Sequence, residues 1–198
     1  MNKRQKQVQR SLLDNEISVM KQLEDSYKQA IKDIDTVIAR LNARKDTENL
    51  QSIIYQKKYQ IALKKELEGF LKVLHSNNYT LIDDYLKKCY TESHIGTLID
   101  IQGQGVPLII GLDQEQMINA ITLNSKLSAP LYNTLGYNVE VLKVNVMREI
   151  SRGIAQDLSY RQMVTNLKTA TNIDFNKSLR IAKTEGHRVQ CESAFSVQ

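Results

Sequence analysis

The chain has 198 residues, of which 41% are hydrophobic and 25% charged, and it carries a net charge of +5. That length allows one ordinary domain, or a small domain with an extended appendage. Eight Gly, two Pro and no Trp argue against an all-β fold, which needs many turns. No run of about 18 apolar residues occurs, so no transmembrane helix is expected.

The N-terminus is basic but no apolar signal core follows it, so export by that route is not expected. Cys89 and Cys191 match no metal-ligand spacing, and we expect a reduced, intracellular pair. The net charge is +5 over residues 1–90, −4 over 91–140 and +4 over 141–198. Two mildly basic segments around an acidic middle allow contact with nucleic acid, at a charge density well below that of a DNA-condensing protein.

The first ~90 residues hold one glycine and no proline. Positions spaced by three and four residues, all apolar or aromatic except one glutamate, form a seam: Ile17, Met20, Glu24, Tyr27, Ile31, Ile34, Ile38 and Leu41. This spacing predicts a helix with a coiled-coil-like stripe. A second helix over 49–74, after a polar turn at 42–48, predicts an antiparallel hairpin. Packing within the chain is favoured over oligomerisation, although self-association through these helices stays open.

Polar residues His75 to Asn78 predict a break, with a third helix beginning at Tyr79 or Thr80. Cys89 is expected in the core. Gly103 and Gly105 precede Pro107 and a short apolar run, which predicts a loop and a short extended segment near 106–110. A phosphate cradle is disfavoured there because the third glycine and the preceding strand are missing.

Further helix signals follow. Asp113, with Gln116 three residues later, is an N-cap signal for a helix through about Asn124. A short helix over Leu131–Leu135 is expected to begin after Pro130 and to end at Gly136. Asn138 is expected to cap a longer helix with apolar positions from Val139 to Ile154.

Residues 148–195 contain the densest set of helix-start and helix-stop signals in the chain. Gly153 is expected near a helix end, and Ser159 with Gln162 forms a capping box that starts the next helix. A loop is expected over 168–175, and the last helix from Asp174 or Asn176. Three short helices of this kind have the outline of a helix-turn-helix.

Eight cations in this region could follow a phosphate backbone or form an ordinary solvated face: Arg148, Arg152, Arg161, Lys168, Lys177, Arg180, Lys183 and Arg188. The three histidines are isolated, so neither a metal site nor a catalytic triad is predicted. No cofactor site and no enzyme activity are expected. Thr184 and Glu185 are interpreted as a structural polar brace.

Three segments together resemble the phage minor head protein family, also called the head-morphogenesis or Mu F-like family: Ile150–Ala155, Leu158–Tyr160 and Arg180–Glu185. Gly153, Ser159, Thr184 and Glu185 fall on its signature. Lys183 stands for the usual Arg, and Asp157 for the usual Gly. Residues 103–116 also resemble members from phages of Gram-positive hosts.

The apolar patterns predict a mainly α protein with a long helical hairpin at 1–78 and a compact helical domain at 79–198. The resemblance, which covers about residues 85–195, identifies this second part as a head-morphogenesis domain. It implies a structural and assembly role inside the phage head at the portal vertex, in procapsid assembly and genome packaging or ejection. The implied partners are the portal protein, other capsid or scaffold proteins and, non-specifically, viral double-stranded DNA. The implied location is the virion interior, after assembly in the host cytoplasm.

Family members are often longer, and some carry enzymatic extensions at the C-terminus, whereas these residues supply no such activity. Whether the chain lacks a C-terminal part stays open. The alternative function is a helix-turn-helix DNA-binding regulator, which would show sequence preference above a salt-dependent background.

Overall fold

The computed structural model describes residues 3–43, 53–105, 111–122, 131–155 and 160–197. Over these ranges the chain forms five helices and no strand: α1 (Lys3–Ala43), α2 (Ile53–Gly103), α3 (Gln114–Thr122), α4 (Leu131–Ala155) and α5 (Tyr160–Phe195). The prediction of a mainly α fold is confirmed. The predicted extended segment near 106–110 and most of the predicted turn at 42–48 lie outside the described residues.

Helix α1 is longer than its predicted seam, and the seam is only partly right. Tyr27 and Ile34 are buried as predicted, whereas Ile17 is 54% exposed. Val19 and Leu23 are buried instead in the first half of the helix. The buried positions thus step by four before Tyr27, which explains why Glu24 interrupts the predicted alternation of three and four.

Helix α2 runs unbroken through residues 75–78, so the predicted break is wrong. None of these four residues is a glycine or a proline, and polar side chains lower helix propensity only slightly. Asn78 is completely buried. The pattern seemed to end there because a polar residue occupies an inward position.

Gly103 and Gly105 lie at the C-terminal end of α2. The Gln104 amide donates to the Ile101 carbonyl at 3.1 Å, and the Gly105 amide donates to the Gln102 carbonyl at 3.0 Å. Gly105 has a φ of 86°, a left-handed conformation that favours glycine at a helix C-terminus. The Gln104 and Gly105 amides therefore close the end of a helix by bonding its carbonyls.

The predicted cap of α3 is confirmed. Asp113 Oδ1 accepts from the amide of Glu115 at 2.8 Å and from that of Gln116 at 3.3 Å. These two bonds satisfy amides that otherwise have no partner within the helix. The predicted end near Asn124 lies outside the described residues.

Helix α4 passes through Gly136 and Asn138, so the predicted stop and restart there are wrong. A Cβ at Gly136 would lie 3.0 Å from Cε1 of His75. Gly136 therefore lets α4 approach the His75 imidazole of α2.

Helix α5 is also continuous, and the loop predicted at 168–175 is wrong. Thr171 and Asp174 are buried, while Ile173 is 56% exposed. The Thr171 hydroxyl donates to the Leu167 carbonyl at 2.8 Å. Because polar side chains are buried and an apolar one is exposed here, the helical period cannot be recognised from the sequence. The loop that would separate the second and third helices of the predicted helix-turn-helix does not form.

The contacts divide the chain into two compact units. Unit 1 comprises residues 1–23, 78–134 and 178–198, and unit 2 comprises residues 24–77 and 135–177. The predicted domains, 1–78 and 79–198, are a different division of the chain. A grouping of residues by contacts does not test that prediction. That division stays a prediction.

The core of unit 2 is formed by four helices. Its buried residues are Tyr27, Ala30, Ile34 and Val37 of α1, Leu63, Leu67, Leu71 and Leu74 of α2, Val139, Leu142, Val146 and Ile150 of α4, and Leu167 of α5. The predicted packing of the α1 seam against the same chain is thus observed from Tyr27 onward, where the α1 and α2 stripes share one core.

The core of unit 1 contains more polar side chains. Its buried apolar and aromatic residues include Val19, Leu23, Ile82, Tyr85, Leu86, Cys89, Tyr90, Ala120, Ile121, Ala182 and Val189. Buried Asn78, His94, Ser178, Glu185 and Ser193 lie in the same unit. Cys89 is in the core, as predicted.

Candidate functional site

The signature segment Arg180–Glu185 lies on α5 within unit 1. Ala182 and Glu185 are buried there, whereas Thr184 is exposed. The predicted pair is therefore divided, and only Glu185 has the burial expected of a brace.

Glu185 is held by a buried arginine. Arg188 Nε donates to Glu185 Oε2 at 2.8 Å, and Arg188 Nη1 lies 2.9 Å from Glu192 Oε1. The Arg188 side chain is 8% exposed. The expectation that Arg188 covers an exposed face is wrong, because its charge is used to neutralise two carboxylates along α5.

Gly186, directly after the signature, lies against a tyrosine of α2. A Cβ at this position would be 2.6 Å from the Tyr85 hydroxyl oxygen and 2.7 Å from Tyr85 Cε1. No side-chain atom fits such a gap. Gly186 therefore allows the Tyr85 ring to pack on the backbone of α5.

Cys89 lies one turn after Tyr85 on α2. Gln190 Nε2 donates to its Sγ at 3.5 Å. Burial raises the pKa of the Cys89 thiol, although hydrogen bonds from Gln190 and Tyr85 oppose the shift. Burial also raises the pKa of the Tyr85 hydroxyl. Both groups therefore stay protonated near neutral pH, so Cys89 is a poor nucleophile.

Serines join α2 to α5 beyond this point. The Ser93 hydroxyl donates to the Gln190 carbonyl at 2.8 Å, and the Ser193 hydroxyl donates to the Tyr90 carbonyl at 2.7 Å. The Tyr90 hydroxyl lies 3.3 Å from Ser196 Oγ. These bonds fix the axial register of the two helices, because each pairs a side chain with one position of the other helix.

The arrangement in unit 1 is a polar lock between α2 and α5. The lock consists of the close approach of Tyr85 to Gly186 and of the side chain to carbonyl bonds of Ser93 and Ser193. The Glu185–Arg188 ion pair is formed within α5, next to Gly186 in the chain. The lock holds the signature segment at a fixed place in the unit. The serines, Gly186 and Tyr85 were missed from the sequence, because single small residues at helical spacing carry no distinct signal.

The other predicted motif residues are less informative. Gly153 lies within α4 and Gln162 is exposed on α5. Ser159 lies outside the described residues, so the predicted capping box stays a prediction.

The candidate DNA-binding cations fall on both units. Arg148, Arg152, Lys168 and Lys177 belong to unit 2, and Arg180, Lys183 and Arg188 to unit 1. The side chain of Arg161 lies outside the described residues.

Several of these cations already have partners. Arg152 pairs with Glu149 at 2.6 Å, and Lys183 pairs with Glu16 of α1 at 3.3 Å. Arg148 donates to the side-chain oxygen of Asn145 at 2.7 Å. Contact with phosphate would have to compete with these bonds.

Unit 2 contains two carboxylates that the sequence did not single out. Asp174 Oδ2 accepts from the Tyr27 hydroxyl at 2.7 Å, and its Oδ1 is buried without a hydrogen bond. Burial raises the pKa of Asp174, an effect that the Tyr27 bond partly offsets. Burial also raises the pKa of Asp35, against the attraction of Lys168.

Within the described ranges, no group of three or more His, Cys, Asp or Glu side chains could hold a metal ion. Across the same part of the chain, no helix is long and apolar enough to cross a membrane.

No protein-family model matches the chain, and no solved structure matches it at a significant level. The chain is 25% identical, over 199 aligned positions, to a protein of Enterococcus faecalis named NAD(+)--arginine ADP-ribosyltransferase EFV. The match covers 96% of this chain and 39% of that protein. The chain therefore spans about two fifths of the length of this relative.

Proposed function

We propose that the chain is a structural and assembly protein of a tailed-phage head, located inside the capsid at the portal vertex. The observation that carries the proposal is the combination of Ile150–Ala155, Leu158–Tyr160 and Arg180–Glu185, which resembles the minor head protein signature. The lock around Glu185 and Gly186 supports a structural use of that segment. Burial of Glu185 against Arg188 leaves its carboxylate engaged rather than available to a substrate.

The direct partner in this proposal is the portal protein, with capsid or scaffold proteins as further partners. Co-expression of the chain with the portal protein of the same phage tests it. The expected result is a portal complex that retains the chain through gel filtration. A variant that folds but disrupts the lock, such as Ser93→Ala with Ser193→Ala, should weaken retention. A chain that always elutes apart from the portal would refute the proposal.

Non-specific contact with viral double-stranded DNA is a secondary part of the proposal. Lys168 and Arg180 are exposed and would meet phosphates most readily among the candidates. Binding should fall steeply with salt and should not depend on sequence. The regulator alternative makes the opposite prediction, a preferred sequence bound far more tightly than unrelated duplexes.

The named activity of the Enterococcus faecalis relative supplies a second candidate, arginine ADP-ribosyl transfer from NAD⁺. We propose that this activity belongs to the part of the relative outside the match, because the match covers 39% of the relative and the polar residues of unit 1 in this chain bond one another. Incubation with labelled NAD⁺ and an arginine analogue tests this assignment. No label transfer is expected, and transfer that is lost in Glu185→Gln without loss of fold would establish the enzymatic alternative.

A further inference from the structure

Unit 1 exposes two surfaces of opposite charge, and the first is on α1. The chain has no Asp or Glu before Asp14, and Lys3, Lys6 and Arg10 are exposed. None of these three cations forms an ion pair with a residue that the structure describes. They also lie near the positive end of the helix dipole, where cations are unfavourable. The first three turns of α1 therefore hold positive charge that no ion pair with a described residue compensates.

The same stripe continues as an apolar surface. Leu13 is 56% exposed and Ile17 is 54% exposed. Residues 3, 6, 10, 13 and 17 alternate steps of three and four, so they line one side of the helix. We call these five residues the α1 stripe. It is cationic over its first half and apolar over its second.

The second surface is on and just before α3. Leu112, Glu115 and Ile118 are exposed and follow one another at steps of three, with exposed Asp113 beside them. The sequence from residue 89 to residue 125 has no Lys or Arg. We call these four residues the α3 face. It combines acidic and apolar side chains, as the α1 stripe combines basic and apolar ones.

We propose that the α1 stripe of one molecule docks on the α3 face of a second copy of this chain. In this contact Lys6 and Arg10 meet Asp113 and Glu115, and the exposed Leu and Ile side chains of both surfaces are removed from water. Both surfaces belong to unit 1, so each copy offers one donor and one acceptor surface. The contact is head-to-tail, and it adds further copies unless the rotation closes a ring.

The composition of the α1 stripe favours a second copy of the chain over a nucleic acid or a membrane as its binding partner. Phosphates would use the cations but not Leu13 and Ile17. A membrane-surface helix would place cations and apolar residues on opposite sides along its whole length, whereas this stripe separates them along the helix. Two α1 stripes side by side in parallel would set cations against cations. The inference is independent of a role in the phage head.

Sedimentation velocity over a concentration series at low salt tests the proposal. The wild-type chain should associate, and added salt should weaken the association. Lys6→Glu with Arg10→Glu removes the donor surface, and Glu115→Gln with Ile118→Ser removes the acceptor surface while keeping the Asp113 cap. Each double variant should associate at least about tenfold more weakly.

The mixture of the two variants is the decisive sample. Each retains the surface that the other lacks, so an equimolar mixture should form a dimer and nothing larger. Lys72→Glu with Lys88→Glu changes the net charge as much as the donor-surface variant does, at exposed positions outside both surfaces, and it should associate like the wild type.

Three results would overturn the proposal. One is a wild-type chain that stays monomeric throughout the series. Another is a mixture that sediments as its separate components. The third is a duplex DNA or anionic vesicle that binds the monomeric wild type and not the Lys6→Glu, Arg10→Glu variant, which would assign the stripe to that ligand.

Discussion

Single atoms decide the fit of the signature helix at Gly186. A methyl group there would overlap the Tyr85 side chain, whose hydroxyl oxygen and Cε1 lie 2.6 and 2.7 Å from the Cβ position. We expect Gly186→Ala to lower the free energy of unfolding by about 1–3 kcal/mol, because the ring or the helix must move. Urea unfolding measures the change.

Gly69 supplies the matched control. It also lies inside a helix, but nothing lies within 4 Å of its Cβ position. Gly69→Ala should therefore stabilise the chain, by up to about 1 kcal/mol, through helix propensity alone. If Gly186→Ala behaved like Gly69→Ala, the close packing of Tyr85 would be contradicted.

Asp174 makes stability depend on pH. Burial raises its pKa above the 3.8 of an exposed aspartate, so the folded state binds this proton more tightly than the unfolded state. The contribution of the protonated form is complete below pH 3.8 and is lost as the pH rises through the folded pKa. Asp174→Asn removes this dependence.

Urea unfolding from about pH 4 to about pH 7 checks this sign. The fall in unfolding free energy with rising pH should be smaller in Asp174→Asn than in the wild type. Tyr27→Phe should enlarge the fall, because the carboxylate loses the hydroxyl that stabilises its charged form. An equal fall in all three proteins would show that Asp174 does not titrate in this range.

Among the helices, α5 differs most from its prediction. Asn172 is exposed in the middle of the segment predicted to be a loop. Asn172→Pro should cost about 3 kcal/mol or more in a continuous helix, because it removes an amide bond and clashes with the preceding turn. Circular dichroism and urea unfolding measure the effect, and Asn172→Ala should be nearly neutral. An Asn172→Pro variant with unchanged helix content and stability would contradict the continuous helix and support the predicted loop.

The sequence was sufficient wherever a signal was local. The Asp113 cap, the burial of Cys89 and the helical character of most segments depend on neighbouring residues and could be predicted. The false breaks at Asn78, Gly136 and Thr171 have a common cause. Each residue is interpreted locally as a helix breaker, yet its role is set by a distant contact or by burial in a core. His75, which explains Gly136, is 61 positions away from it in the sequence.

The site shows the same limit. Glu185 was identified as a brace, but its partner Arg188 was assigned to solvent because charge alone suggested exposure. The serines that join α2 and α5 could not be recognised, since the contacts pair residues about 100 positions apart. The cations of residues 148–188 were grouped by sequence, whereas the structure divides them between two units and pairs several with acids.

At the scale of the whole molecule, the chain combines two helical units, and among the described residues no group of three or more His, Cys, Asp or Glu side chains could hold a metal ion. Its signature segment is used for packing, and its exposed surfaces in unit 1 are complementary in charge. The packing of the segment and the charges of these surfaces support the proposed assembly role and the proposed self-association.

The composition of the phage head tests the central proposal most directly. Under the proposed function a tailed phage encodes this chain, and heads purified from that phage should be separated from free protein and analysed by quantitative mass spectrometry. The proposal predicts that the chain is present in low copy and stays with the portal when the shell is dissociated. A chain found only in the soluble fraction of the host, and absent from heads that contain the portal, would contradict it.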